Sequence, residues 1–125
     1  MIKFYENFEL ALGKLTSFLE QYDGSQVHQA GVIQAFEFTF EQCWHCLQRK
    51  AGREGLPIAS PKKAFEYAFK AGLIPPSDEQ LWLTMIEDRN KTTHVYRETL
   101  AELVFKKIQA AYQPAFEKIL KKLKS

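Results

Sequence analysis

Gly31-Val32-Ile33-Gln34-Ala35-Phe36-Glu37-Phe38-Thr39-Phe40-Glu41-Gln42-Cys43-Trp44 is the stretch that decides the fold class. Val32, Phe36, Phe40, Cys43 and, just beyond, Leu47 recur every three or four positions, the spacing of one helix face. Phe38 and Trp44 are read as widening that stripe. Gly52 and Gly55-Leu56-Pro57 break it. The expectation is a long amphipathic helix in the first half of the chain.

The same period appears on both sides. Phe4, Phe8, Leu12, Leu15, Leu19 and Tyr22 make an earlier helix, ended by Asp23-Gly24-Ser25. Ser60-Pro61 starts a short third helix, with serine as N-cap and proline in the first turn. Ala64, Phe65, Ala68 and Phe69 form its apolar face, and Gly72 stops it. After Pro75-Pro76, the Ser77-Asp78-Glu79-Gln80 segment has capping-box spacing. Leu81, Trp82, Met85 and Ile86 carry a fourth helix into Arg89. Thr99-Leu100-Ala101-Glu102 is a second capping box, so a fifth helix is expected from near Thr99. Its stripe runs through Leu103, Val104, Ile108, Ala111, Tyr112, Phe116, Ile119 and Leu123, with a kink at Pro114. No segment has strand period. The predicted fold is all-α, an antiparallel bundle of about five helices in a single domain spanning residues 1–125.

Composition agrees. With 125 residues, 46% hydrophobic and 26% charged, the chain can bury a sizeable core. Neither an apolar signal segment nor a bilayer-length apolar run is present, so a cytoplasmic protein without membrane association is expected. Net charge is +2, too small to mark a nucleic-acid binder. Lys106, Lys107, Lys118, Lys121, Lys122 and Lys124 concentrate near the C-terminus. They could lie along a phosphate backbone, or be a solvated helix end complementing the helix dipole. Cys43 and Cys46 fall inside the long helix, without further ligands to complete a zinc site. They are read as buried reduced thiols.

Polar chemistry concentrates in Asp88-Arg89-Asn90-Lys91-Thr92-Thr93-His94-Val95-Tyr96. Arginine grips phosphate and histidine moves protons near neutral pH. A metal-free phosphodiester cleavage needs a proton-transfer group, for which His94 is suited, and a stabiliser of phosphoryl charge, for which Arg89 is suited. Asn90 could orient either. Arg89 and His94 are five apart, about 140° around an ideal helix. They converge if the helix breaks near the β-branched Thr92 and Thr93, or if the arginine's length bridges the gap. A symmetric dimer would supply a second His94. The same residues also suit plain capping and solvation, with Arg89 pairing to Asp88 or Glu87. Glu37 and Glu41, one turn apart, either face solvent or face the cleft, where a carboxylate would orient Arg89.

Arg89, Asn90, His94 and Tyr96 spell R-N-x-x-x-H-x-Y, which resembles the R-x4-H-x-Y motif of the HEPN superfamily of small helical proteins. The Gly31–Trp44 helix resembles that of one branch, the nucleotidyltransferase substrate-binding protein family. Ser60-Pro61, Ala71-Gly72-Leu73-Ile74 and Trp82–Asn90 are similar to it as well. The likeness runs from about Phe4 to Leu120. It implies a homodimer with the site near the dimer axis, and a small nucleotidyltransferase (MNT) partner. It implies two functional views. In one, the chain presents substrate to the nucleotidyltransferase. In the other, it is the toxin of a HEPN/MNT toxin-antitoxin pair, a metal-independent endoribonuclease acting on RNA. Arg89 and His94 would then be catalytic, Asn90 supporting, and Tyr96 the tyrosine that the partner silences by adenylylation. No cofactor or metal is implied. The family commonly has lysine where this chain has His45, and often a basic residue where it has Ala35. Both departures bear on partner contacts more than on chemistry.

Overall fold

The computed structural model describes residues 3–94 and 97–125, without the side chains of Thr93 and His94. Its regular elements among these residues are all helical. They are α1 (Glu6–Glu20), α2 (Gln26–Arg53), α3 (Pro61–Lys70), α4 (Glu79–His94), α5 (Glu98–Lys107) and α6 (Gln113–Lys124). A π-helical turn, Ile108–Tyr112, joins α5 to α6 without a loop, so the chain forms five rods. None of these helices is long and apolar enough to cross a membrane.

Local chemistry explains most boundaries. Ser25 and Ser60 cap α2 and α3: their hydroxyl oxygens accept from the His28 and Lys63 amides, both at 3.2 Å. α2 and α3 both stop at a glycine in the left-handed region, Gly55 (φ 80°) and Gly72 (φ 75°). In each case the next amide reaches back five residues, Leu56 to Ala51 (2.8 Å) and Leu73 to Ala68 (2.9 Å). These are Schellman closures, which use carbonyls that the helix end leaves over.

The two capping boxes do not form. Ser77 lies inside a 3-10 turn, Pro76–Asp78, and Gln80 instead donates to Thr84 Oγ1 at 3.3 Å. α5 begins at Glu98 after Arg97 and has no side-chain cap, so Thr99 lies already within the helix. Pro114 is accommodated by a change of helix type just before it. The π turn immediately before it opens the hydrogen-bond ladder, leaving proline in the first turn of α6, where a missing N–H is tolerated.

The central element is α2, which packs against α1, α3, α4 and α5. Its length, about 42 Å for 28 residues, lets one helix organise the others. Phe36, Phe40, Phe65, Trp82, Tyr112 and Phe116 are fully buried and join through edge-on, tilted and stacked ring contacts. Thr39 is buried among them and donates to the Ala35 carbonyl at 2.7 Å, so its hydroxyl is satisfied. Phe38 and Leu103 depart from their predicted stripes: they are 54% and 59% exposed. Each lies on its helix's outer face, because α2 and α5 bury narrower arcs than the apolar residues alone suggested.

Candidate functional site

Helix α4 carries the polar cluster, and it continues unbroken through His94. The expected break near Thr92 and Thr93 is absent. Thr92 is accommodated because its hydroxyl donates back to the Arg89 carbonyl at 3.0 Å, the local bond by which threonine fits a helix. Asp88 to His94 are therefore part of α4 rather than of a junction beyond it.

Successive α4 residues face different neighbours. Asp88 points inward and is almost fully buried. Its carboxylate accepts from Tyr112 Oη on the π turn and pairs with Lys107 Nζ at 3.1 Å. Burial, together with this carboxylate, pushes the Tyr112 hydroxyl well above the ordinary tyrosine range, so it stays a donor. The extra residue of the π turn lies in the segment that presents Tyr112 to α4.

Arg89 turns toward α2. Its Nη2 donates to Glu41 Oε2 at 2.8 Å, and its guanidinium lies 5.5 Å from the centre of the Phe40 ring. The pairing with Asp88 or Glu87 that the sequence allows is superseded. Consecutive helix residues point about 100° apart, and packing brings α2's carboxylate to the guanidinium instead. Glu37, one turn before Glu41, receives the Thr92 hydroxyl at 3.3 Å. Both glutamates thus face α4. Asn90 is exposed. The His94 side chain and Tyr96 lie outside the described residues.

His45 is the part that sequence reasoning missed as a site residue. It sits one turn beyond Glu41, with Nε2 3.4 Å from Glu41 Oε1 and Nδ1 3.3 Å from Gln48 Oε1. Its ring stacks on Trp44. The i, i+4, i+8 spacing of Glu37, Glu41 and His45 was a usable signal, but it acquires meaning only when α4 packs on that face.

The cysteines are buried and reduced, as expected. Burial pushes Cys43 well above the ordinary thiol value and Cys46 up to about 12, so neither is a thiolate nucleophile near neutral pH. Among the described residues, no group of three or more His, Cys, Asp or Glu side chains is arranged to hold a metal ion. Several C-terminal lysines serve intramolecular contacts: Lys118 pairs with Asp78 at 2.8 Å, and Lys122 reaches the Gly72 carbonyl at 3.4 Å.

The chain is of the class of small all-helical bundles, with a long central helix that offers a carboxylate to an arginine on a neighbouring helix. Comparison narrows that class: the chain belongs to the family described as nucleotidyltransferase substrate binding protein like, whose profile matches residues 3–125. A crystal structure of a protein from Thermus thermophilus is similar over 94% of this chain and 99% of its own. It has a TM-score of 0.84 and 36% sequence identity. No protein of curated function matches the chain.

Proposed function

We propose that the chain is a HEPN-type endoribonuclease, the toxin member of a pair completed by a nucleotidyltransferase. The observation that carries this reading is Arg89, held in place by Glu41 and Phe40 while part of its side chain stays open to solvent, on the same unbroken helix that ends at His94. In the proposed reaction the ribose 2′-oxygen attacks the adjacent phosphorus and the bond to the 5′-oxygen breaks. The 2′-hydroxyl proton leaves to a base, and a proton is delivered to the departing 5′-oxygen. His94 performs one of these transfers, Arg89 stabilises the charge gathering on the phosphoryl oxygens, and Asn90 supports them. The products are a 2′,3′-cyclic phosphate and a 5′-hydroxyl, with no metal required.

Because α4 does not break, positions 89 and 94 stay about 140° apart around it. That separation favours a homodimer in which the facing copy completes each site and contributes a second His94. Tyr96 is the proposed acceptor of AMP from a nucleoside triphosphate: its oxygen bonds to the α-phosphorus and pyrophosphate departs. The added phosphate would put negative charge beside Arg89 and repel RNA.

The test is RNA degradation by purified protein in the presence of a chelator. Parent protein cuts, and His94→Ala does not; equal cutting by both removes the catalytic assignment. For Tyr96, co-expression with the partner followed by intact-mass measurement shows added AMP units that disappear in Tyr96→Phe.

The family's description favours a second reading, in which the chain is a non-catalytic substrate-binding subunit of a two-component nucleotidyltransferase. Arg89 would then hold a nucleotide phosphate. This reading expects no RNA cleavage and a change in the partner's nucleotidyl transfer on mixing.

A further inference from the structure

The geometry points to His45 as a second phosphate-binding residue of this site, acting with Arg89 across the shared carboxylate of Glu41. The two Glu41 oxygens are divided: Oε2 accepts from Arg89 Nη2 at 2.8 Å, and Oε1 lies 3.4 Å from His45 Nε2. All three side chains keep an open edge, being 23%, 35% and 35% exposed for Arg89, Glu41 and His45. An anion approaching Arg89 therefore meets the His45 ring one carboxylate away.

The hydrogen-bond partners define the form of the ring that completes the trio. Gln48 Nε2 donates to the Ile58 carbonyl at 2.7 Å, which leaves Gln48 Oε1 facing His45 Nδ1. An amide oxygen only accepts, so Nδ1 carries a hydrogen. A neutral ring would then turn a lone pair toward the Glu41 carboxylate, whereas an imidazolium donates at both nitrogens. Among the described residues, the ring pairs with Glu41 on its own helix and, through Glu41, with Arg89 on α4, and Arg49 follows it by one turn along α2. Glu37 adds a further carboxylate one turn back, beside Thr92.

Charge then decides affinity. With His45 neutral, Glu41 cancels Arg89 and the trio offers a phosphodiester no net attraction. Protonating His45 adds one positive charge to the group, which offsets the nearby Glu37 carboxylate, and the phosphate is held between two cations. The inference rests on the reading of Arg89 as a phosphate-gripping residue, which both proposed functions share. It does not require that RNA be cut.

The experiment uses a short 2′-O-methylated oligoribonucleotide, which cannot undergo the 2′-hydroxyl attack. Binding is measured at about pH 5.5 and about pH 8 in a His94→Ala background, which removes the motif histidine from the comparison. Affinity is expected to fall about three- to tenfold on raising the pH. Adding His45→Lys, which keeps a positive charge throughout, abolishes that fall and holds affinity at the low-pH level. Adding His45→Gln gives weak binding at both pH values. The proposal is overturned if the lysine variant keeps the parental pH dependence, if the glutamine variant binds like its background, or if the background binds at neither pH. Cleavage of unmodified RNA by protein with intact His94 is scored separately. Loss of cleavage with the binding pattern intact removes the ribonuclease reading alone. The reverse result removes only the His45 role.

Discussion

At the scale of single residues, two neighbours on α4 have opposite duties. Arg89 and Glu41 form an ion pair that is partly open to water, so its worth to stability is small, about 0–1 kcal/mol. Its value is in aim. On the proposed ribonuclease reading, Glu41→Gln should leave the melting temperature nearly unchanged while reducing RNA cleavage about ten- to a hundredfold, because a misdirected guanidinium no longer meets the phosphoryl oxygens. Parallel melting and cleavage assays check this; a variant that melts much earlier, or cuts normally, would contradict it. Asp88 is the converse case. It is buried, and it satisfies both Tyr112 Oη and Lys107. Asp88→Ala strands the tyrosine hydroxyl in the core and should cost about 1–3 kcal/mol in a urea titration. The Asp88 pairing was not legible in the sequence, and the Glu41 pairing was one of two placements it left open. Asp88 and Arg89 look like one charged run, and only their positions around the helix separate core anchor from site.

At the scale of elements, caps predicted from spacing alone succeeded or failed according to the backbone around them. Ser60 precedes Pro61 in extended conformation and caps α3. Ser77 is drawn into a 3-10 turn by the prolines before it, and Thr99 lies two residues past the cap position at Arg97. Ser60→Ala should therefore cost about 0.5–2 kcal/mol, whereas Ser77→Ala and Thr99→Ala should cost much less. Thermal melts of the three variants make the comparison. Helix α2 also has an alkaline weakness. Cys46 titrates near 9.0 when free and near 12 in the fold, because burial disfavours its thiolate. Its folded value is raised, so the associated stability is complete below pH 9.0 and is lost as pH rises toward 12. Relative to Cys46→Ala, the parent's urea midpoint should fall over that interval. A constant difference between the two proteins would mean that the thiol is not shielded in solution.

At the scale of the whole molecule, the unbroken α4 makes assembly part of the proposed chemistry. If Arg89 of one copy needs only the facing copy's His94, mixing Arg89→Ala with His94→Ala protein should restore cleavage that neither shows alone. Recovery would reach up to about a quarter of the parental rate, since half the dimers are mixed and each carries one intact site. No recovery after subunit exchange would rule out that cross-copy pairing of Arg89 with a single His94. The division between sequence and tertiary structure follows interaction range. The all-helical class, the order of the helices and the glycine stops were legible from the chain alone. They depend on helical period and on backbone preferences within a few residues. The inward turn of Asp88, the outward turn of Phe38, and the convergence of Arg89, Glu41 and His45 were settled only by packing. Arg89 and Glu41 are 48 positions apart. Their meeting depends on how α2 and α4 lie against each other, which hydrophobic burial across the whole core determines and which no local pattern records.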